Sequence, residues 1–314
     1  MLKVLFTGGG GAGNEALWRL LSDKYALHFG DPDPTAIDPS IPADRRHRLP
    51  WASDQRFIEQ IASACRQLHI DVLIPGVDEE LLMLAKNISS LAPTRLLLPN
   101  AEYVETMLDK LLMVRMLESK MIEVPHSRTL ADNLHGLLMP CIAKPRKGRG
   151  SRGVRTLLDQ SDLTEFVAAM AGKAETILLQ DKIPGIEYTV QMCSTERGIL
   201  RAMVPVRVAI KRGITTRAET DANPLVMEAC RRIHEALPAA GCYNIQLMLT
   251  KEGRVLPFEI NPRISTTFCL AVAAGIDPIS IFFESGSTTD TMPFKSGVQL
   301  RRYWKNCFYH VNLL

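Results

Sequence analysis

Three polar side chains stand at every second position of residues 256–265, whose sequence is LPFEINPRIS: Glu259, Asn261 and Arg263. Because successive side chains of a β-strand point to opposite faces, these three would share one face of a strand. A carboxylate and an amide oxygen are ligands that Mg²⁺ uses when phosphates and water complete its shell, and a guanidinium pairs well with phosphate. The alternation therefore predicts a magnesium and phosphate site, with a solvent-exposed polar face as the alternative.

The preceding stretch, YNIQLMLT, is expected to be the partner strand of a hairpin, because a Lys-Glu-Gly turn separates the two. Antiparallel pairing would bring Gln246 beside Glu259 and add a second amide oxygen to the same face. Strict alternation predicts that Phe258 and Ile260 point the other way, into the core. Pro262 has no backbone N–H and is therefore expected at the end of the strand.

A loop rich in basic residues and glycine occupies residues 144–155, with the sequence KPRKGRGSRGVR. Its basic residues and glycines are Lys144, Arg146, Lys147, Gly148, Arg149, Gly150, Arg152, Gly153 and Arg155. Glycines let the loop move and expose its N–H groups, and guanidinium groups bind phosphate oxygens. Its place between two predicted strands favours a flap over a triphosphate. A solvated basic turn is the alternative, and a nucleic-acid patch is disfavoured because no aromatic residues are interleaved.

Two lysines belong with this loop in the predicted fold. Lys144 stands at the end of the strand before the loop, where it would be a fixed phosphate ligand. Lys110 stands on an earlier helix and is a second candidate, although an isolated lysine on a helix is usually solvated.

A second glycine-rich loop follows the first apolar run of the chain. Gly8, Gly10 and Gly13 match the pattern G-x-G-x-x-G between a predicted strand and a predicted helix, and Asp31 ends the next strand. This pattern alone suggests a Rossmann dehydrogenase that binds NAD, with Asp31 on the ribose. A tight strand-to-helix turn without a ligand is the alternative.

The elements that must position these residues change in character along the chain. Up to about residue 100, short apolar runs alternate with amphipathic segments, which predicts a parallel α/β sheet. Residues 101–120 predict a long helical segment, and residues 161–172 a helix capped by Ser161 or Asp162. From about residue 176 the runs predict antiparallel strands.

Composition excludes several classes of protein. The chain of 314 residues is 46% hydrophobic with a net charge of +3, so neither nucleic acid nor an anionic membrane is an expected partner. We find no apolar run near the ~20 residues of a membrane span and no signal peptide, which predicts a cytoplasmic protein. Seven cysteines show no metal-ligand spacing and are expected to be buried thiols. The histidines form no zinc pattern.

Together these segments resemble the ATP-grasp superfamily, and within it the branch of the carbamoyl-phosphate synthetase large subunit. The matching segments are GGGGAGNEAL, PGVDEEL (75–81), LDK (108–110), AKPRKGRGSRGV (143–154), LLQDKIPGIEYTV (178–190), NIQ (244–246) and FEINPRISTT (258–267). The resemblance implies a Rossmann-like pre-ATP-grasp domain that does not bind NAD, followed by a two-lobed ATP-grasp fold with antiparallel sheets. The implied domains are residues 1–100, 101–185 with the flap, and 186–314.

The resemblance also implies a role for each site residue. The ligands implied are ATP and Mg²⁺, with Mn²⁺ as an alternative ion. The implied contacts are Lys110, Lys144 and the flap residues Arg146, Gly148, Arg149, Gly150 and Ser151 on phosphates, Gln180, Lys182 and Ile183 on adenine, Glu187 on ribose, Gln246, Glu259 and Asn261 on the metal, and Arg263 on the γ-phosphate. Lys144 and Arg263 would act on the phosphoryl group during its transfer. Lys211, Arg212 and Arg217 belong to a segment, 211–220, that corresponds to a loop near the phosphates.

The chain departs from the family pattern in three places. Gln246 stands where many members carry an acid, as in the carbamoyl-phosphate synthetase branch, and Lys110 and Lys144 replace arginines common in that branch. Arg301 and Arg302 lie in a strand-like C-terminal run to which the resemblance assigns no role.

The expected activity is that of an ATP-dependent ligase. It would join a carboxylate to an amine or a thiol through an acyl phosphate. The oligomeric state stays open, and a homodimer is the assembly that the resemblance suggests. Three alternatives stay open: phosphoryl transfer to carbamate or bicarbonate, a non-catalytic nucleotide-binding protein, and an NAD dehydrogenase.

Overall fold

The computed structural model describes residues 1–286, 288, 290–303 and 306. Its strands are β1 (Lys3–Thr7), β2 (Ala26–Asp31), β3 (Arg46–Arg48), β4 (Val72–Ile74), β5 (Arg95–Leu96), β6 (Ser127–Thr129), β7 (Cys141–Pro145), β8 (Arg155–Leu157), β9 (Ile177–Asp181), β10 (Ile186–Ser194), β11 (Leu200–Arg212), β12 (Ile214–Thr220), β13 (Gly241–Leu249), β14 (Val255–Asn261) and β15 (Gln299–Arg301). Its α-helices are α1 (Asn14–Leu21), α2 (Phe57–Leu68), α3 (Asp78–Lys86), α4 (Ala101–Leu108), α5 (Lys110–Ser119), α6 (Gln160–Ala169), α7 (Pro224–Ala236), α8 (Phe268–Ala273) and α9 (Pro278–Phe282).

The first sheet is parallel throughout and has the strand order β3-β2-β1-β4-β5. One face packs on α2 and α3 through a core that includes Leu5, Leu73 and Ile61. The other face packs on α1, and this core continues into α8, α9 and the strand β11. Burial on both faces explains why the inner strands β1, β2 and β4 are mostly apolar, whereas the edge strand β3 has the sequence RHR. The predicted parallel α/β unit is confirmed.

Two antiparallel sheets follow. The smaller has the order β6-β9-β7-β8 and is covered by α6, whose Leu163 and Phe166 join its core. The larger has the order β14-β13-β10-β11-β12-β15. The basic glycine loop connects β7 to β8, which pair antiparallel as predicted. The fold class predicted from the sequence is therefore correct for both halves of the chain.

The helical segment after residue 100 is two helices. Asp109 ends α4 and caps α5 by accepting hydrogen bonds from the N–H groups of Leu111 and Leu112. Residues of both helices, among them Tyr103, Met107 and Met113, pack into the core of the six-stranded sheet. Lys110 is thereby fixed at the first position of α5, directly beside that sheet. The division into domains at residues 100 and 185 stays a prediction.

Two local predictions need correction. The cap of α6 is Asp159, which accepts hydrogen bonds from Ser161 N and Asp162 N, so the helix begins earlier than its hydrophobic pattern indicates. Residues 211–220 are not a loop, because β11 and β12 form a hairpin that turns at Gly213, where φ is 74°. A residue other than glycine would be strained at this positive φ, which explains the glycine at the turn.

The cysteines that the structure describes agree with the expected class. Cys65, Cys141, Cys193, Cys230, Cys242 and Cys269 are buried free thiols. Cys307 lies outside the described residues. Within the described part of the chain, every helix is too short or too polar to cross a bilayer.

Candidate active site

A cavity of about 420 Å³ opens between the two antiparallel sheets. Its walls are the glycine loop, the start of α5, the segment that joins β9 to β10, and the polar face of β13 and β14. It brings together the predicted residues Lys110, Lys144, Gly148, Arg149, Gly150, Ser151, Gln180, Lys182, Ile183, Glu187, Gln246, Glu259, Asn261 and Arg263. Of the predicted contact residues, Arg146 does not line it, and of the three candidates in residues 211–220 Lys211 lines it whereas Arg212 and Arg217 do not.

The predicted hairpin register is confirmed. Gln246 lies opposite Glu259, and Asn244 lies opposite Asn261, across β13 and β14. The buried Asn244 accepts a hydrogen bond from Asn261 Nδ2 (3.2 Å) and donates one to Arg263 O (3.0 Å). These two bonds fix the amide orientation of Asn261, because its nitrogen is engaged and its oxygen is left for another partner. The strand ends at Asn261, so Pro262 lies where its missing N–H is harmless, as predicted.

A β-bulge overturns the prediction for Phe258. The register shifts between Gln246 and Leu247, since Gln246 faces Glu259 whereas Leu247 faces Pro257, which leaves Phe258 as the extra residue. A bulge re-aims the side chain of the extra residue. Phe258 consequently lines the cavity, whereas Ile260 is buried in the core as expected. The carbonyl of Phe258 is also released from the ladder.

Lys144 is held deep in the cavity and is only 5% exposed. Its ammonium donates to Gln180 Oε1 (2.8 Å) and to the freed Phe258 carbonyl (3.2 Å), and it lies 5.5 Å from the centre of the Phe258 ring. Burial lowers the pKa of Lys144 to about 8; Glu259 raises it, and Lys110 and Lys211 lower it. A buried cation without a directly bound carboxylate is prepared for an anionic ligand.

Lys110 is also buried, which removes the solvated alternative. It is 7% exposed, donates to Gly148 O (2.8 Å) and lies 3.9 Å from Glu259 Oε1. The ammonium therefore connects the glycine loop to the polar strand β14. Gly148 has a φ of 131°, a conformation that favours glycine at the point where its carbonyl accepts from this lysine.

Arg146 has a structural partner instead of a place in the cavity. Its guanidinium binds both carboxylate oxygens of Asp109, at 3.2 and 2.8 Å, and donates to Glu175 O. The same Asp109 caps α5, so one carboxylate anchors the base of the loop to the helix that carries Lys110. Burial raises the pKa of Asp109, but the hydrogen bonds from Arg146 and the helix outweigh it, and the net shift is downward.

Two further cations bind acids at the start of α3, which belongs to the parallel sheet. Arg263 pairs with Asp78, and both side chains are largely buried. Arg149 of the loop pairs with Glu79 at 2.9 Å. The segment PGVDEEL thus connects the first sheet to both sides of the cavity, a contact that its sequence does not reveal.

The N-terminal glycines are packed against the protein's own backbone. A Cβ on Gly13 would lie 2.6 Å from Thr266 O, and one on Gly10 would lie 2.8 Å from the Cβ of Ala36. Gly10 N donates to Asp31 Oδ2 (3.1 Å), so the acid expected on a ribose binds the loop itself. Close chain packing therefore explains these glycines without a dinucleotide.

Arg302 lies next to the cavity and has no role predicted from the sequence. Its guanidinium donates to three backbone carbonyls, those of Thr215, Ala12 and Thr266. Thr215 and Thr266 line the cavity. The only available signal was a pair of arginines in a strand-like run, and the contact depends on β15 pairing with β12.

The comparisons with known proteins identify the family of this chain. The model of the ATP-grasp domain family matches residues 107–267, more than half of the chain. The chain belongs to the ATP-grasp family. No curated protein sequence matches it. The match identifies the family but no branch within it, so the similarity to the carbamoyl-phosphate synthetase branch stays a prediction.

Solved structures of ATP-grasp enzymes share the fold at low sequence identity. Pyruvate carboxylase from Rhizobium etli superposes with a TM-score of 0.67 at 14% identity, over 88% of this chain and only 28% of its own length. L-amino acid ligase from Bacillus licheniformis gives 0.67 at 18% identity, over 89% of this chain and 72% of its own. The biotin carboxylase domain of 2-oxoglutarate carboxylase from Hydrogenobacter thermophilus, a dimer in complex with MgADP, ADP and bicarbonate, gives 0.63 at 14% identity, over 90% and 68%.

Two oxygen donors of this ATP-grasp cavity are suited to magnesium. Among the described residues no group of three or more His, Cys, Asp or Glu side chains could hold a metal by itself. Glu259 and the oriented oxygen of Asn261 offer one carboxylate and one amide oxygen on the same face. Such a pair suits Mg²⁺ when nucleotide phosphates and water supply the other oxygens.

Proposed function

We propose that this protein is an ATP-dependent ligase that activates a carboxylate as an acyl phosphate and joins it to an amine. The observation that carries the proposal is the convergence of Lys110, Lys144, Lys211 and Arg263 on a cavity whose phosphate end contains Glu259 as a carboxylate. Asp78, Glu187 and Glu259 lie beside three of these cations, whereas Lys144 has no directly bound carboxylate, so the buried charge that is left favours an anionic ligand such as a triphosphate.

The nucleotide would lie along the cavity from the β9–β10 segment to β14. Lys182 and Ile183 of that segment line the edge where the adenine would bind, and Glu187 lies nearby for the ribose. Gln180 is engaged by Lys144 and Ser127, so its role is to hold Lys144 in place. The backbone of the segment, and not the Gln180 side chain, would therefore contact the adenine.

The phosphates would meet the lysines and the loop at the other end. Glu259 and Asn261 would hold Mg²⁺, which spreads the charge of the γ-phosphoryl group. Lys144 and Arg263 would bind the oxygens of this group while it transfers. Lys110 would bring the loop onto the phosphates through Gly148, since its ammonium already bonds that carbonyl.

The carboxylate substrate would lie beyond the γ-phosphate, near Thr215 and Thr266. Its oxygen would attack the γ-phosphorus, and ADP would leave. The amine would then attack the carbonyl carbon of the acyl phosphate, the bond from this carbon to the phosphate oxygen would break, and phosphate would leave while the amine proton passes to it or to water. Arg302 lies behind this end of the cavity and gives it a positive charge without a carboxylate partner among the described residues. We propose that it attracts the carboxylate. Catalysis would consist of positioning and electrostatics, with no nucleophile from the protein.

An ADP-release screen over pairs of amino acids and small carboxylic acids, with thiols as further acceptors, tests the proposal. One pair should release ADP and form an amide or thioester, and Glu259→Ala should abolish this. Glu252→Ala, in the exposed turn between β13 and β14, is the matched control. A phosphorylated acid that persists without an acceptor would favour phosphoryl transfer, and the absence of ADP release and of nucleotide binding would reject the proposal. Assembly as a homodimer stays a prediction, which mass photometry checks.

A further inference from the structure

Lys211 occupies an unexpected position for a residue of a hairpin tip. Its ammonium donates to Glu187 Oε1 at 2.6 Å and to Gln246 Oε1 at 3.1 Å. Glu187 and Gln246 are neighbours on β10 and β13, because their register partners are Met248 and Thr189. Lys211 therefore connects the residue expected on the ribose with a residue expected on the metal.

The path of the hairpin explains how Lys211 reaches these oxygens. Strand β11 continues to Arg212, and its pairing with β12 shifts register on both sides of Ile210. Register shifts of this kind bend a strand and re-aim its side chains. The Lys211 side chain is 30% exposed and Glu187 is 25% exposed, so the pair lies at the cavity wall and not in bulk solvent.

A divalent ion at Gln246 is incompatible with this arrangement. An ion bound to Gln246 Oε1 would stand at about 2 Å from that oxygen, close to an ammonium that already binds the same atom. Like charges at such separations repel strongly where water is partly excluded. The neutral Gln246 offers no charge to offset this, and the charge of Glu187 is already balanced by Lys211.

We propose that Lys211 is a fixed cation of the nucleotide site that takes the place of a metal ion at Gln246, so that one divalent ion binds, at Glu259 and Asn261. This inference rests on the proposed nucleotide site and deepens it. Gln246 then holds the lysine instead of the metal. The positive charge that a metal ion would supply at Gln246 is then supplied by the ammonium of Lys211.

Counting bound Mn²⁺ by electron paramagnetic resonance, with the non-hydrolysable analogue AMP-PNP, tests the proposal without turnover. The wild-type protein should bind one Mn²⁺ per nucleotide. Gln246→Ala should change Mn²⁺ affinity by less than about twofold, whereas Glu259→Ala should lower it by about tenfold or more, as expected for a lost charged ligand. Two ions in the wild type, or equal losses in the two variants, would overturn the inference.

Lys211→Met supplies a second measurement. Loss of a charged contact to the nucleotide site should weaken AMP-PNP binding by about 10- to 100-fold, and Lys251→Met at an exposed turn is the matched control. Unchanged nucleotide affinity in Lys211→Met, with a normal melting temperature, would overturn the inference while leaving the proposed function intact. If the wild type binds no nucleotide and no Mn²⁺, the proposed function itself fails.

Discussion

The ammonium of Lys144 lies 3.2 Å from the carbonyl oxygen of Phe258, which a β-bulge has released from the β13–β14 ladder. The same bulge turns the Phe258 ring beneath the ammonium, 5.5 Å from its centre. Contacts with a carbonyl dipole and a ring face hold a buried cation without neutralising it. One irregularity in the strand therefore supports the principal cation of the site.

Nucleotide affinity should depend on pH through Lys144. Burial lowers the pKa of Lys144 to about 8 in the free protein, and a bound phosphate would favour the ammonium. The affinity for Mg·AMP-PNP should therefore be constant below the pKa and decrease above it, approaching about tenfold per pH unit. Calorimetric titrations between about pH 7 and pH 10 measure this.

Lys144→Arg is the control for that titration, because a guanidinium keeps its charge over this range. Its affinity should be lower, since a larger and planar guanidinium does not occupy the position of the ammonium between Gln180 and Phe258, but independent of pH. A pH profile identical to that of the wild type would show that another group is responsible.

Asn244→Leu should lower the metal affinity, although Asn244 is not a proposed metal ligand. The substitution leaves the Arg263 carbonyl and the Asn261 amide nitrogen unpaired in a buried place, so we expect a loss of about 1–3 kcal/mol in the free energy of unfolding. Asn261 should also lose its fixed orientation, and Mn²⁺ affinity with AMP-PNP should fall. Urea denaturation and Mn²⁺ titration check the two effects, and normal Mn²⁺ affinity would contradict a positioning role.

Asp109→Asn should destabilise the protein at neutral pH by about 1.5–3 kcal/mol, because it removes a buried charged partner of Arg146. The pKa of Asp109 is lower in the folded protein than in the unfolded chain. Its stabilising contribution is therefore present above the unfolded pKa and is lost as pH falls through the folded pKa. The difference in unfolding free energy between variant and wild type should shrink as pH falls below about 4. A difference that stays constant on acidification would contradict the assignment.

Gly13→Ala should destabilise the protein by about 1–3 kcal/mol, because the new methyl group meets the Thr266 backbone oxygen at 2.6 Å. Gly286→Ala is the control, since a Cβ there meets nothing within 4 Å.

In a thermal-shift comparison, Mg·ATP should raise the melting temperature of the wild type and NADH should not. Stabilisation by NADH alone would revive the dehydrogenase alternative.

Arg302→Met should raise the KM for the carboxylate substrate and leave the KM for ATP nearly unchanged, because Arg302 binds the carbonyls of Thr215 and Thr266, where the acid is proposed to lie, and none of the proposed nucleotide contacts. Arg301→Met is a matched control, as Arg301 is an exposed residue of the adjacent strand β15. Steady-state kinetics with the pair found in the ADP-release screen measure both constants. Equal increases in the two KM values would indicate a general loss of structure instead.

Local sequence determined much of this protein. Alternating side chains placed Glu259 and Asn261 on one face, the Lys-Glu-Gly turn paired β13 with β14, and proline marked the end of the strand. These predictions succeeded because strand geometry and tight turns depend on neighbours in the chain. The parallel and antiparallel halves followed from the same local patterns.

Tertiary structure alone decided which polar residues face the cavity and which bind other segments of the protein. Arg146 binds Asp109, Asp31 binds the first glycine loop, and Arg302 reaches three carbonyls from distant segments. A bulge turned Phe258 inward against the alternation, and register shifts carried Lys211 to Gln246. Charged side chains have the same local pattern whether they bind a ligand or a distant partner, and only the packing of the three sheets brings those partners within reach.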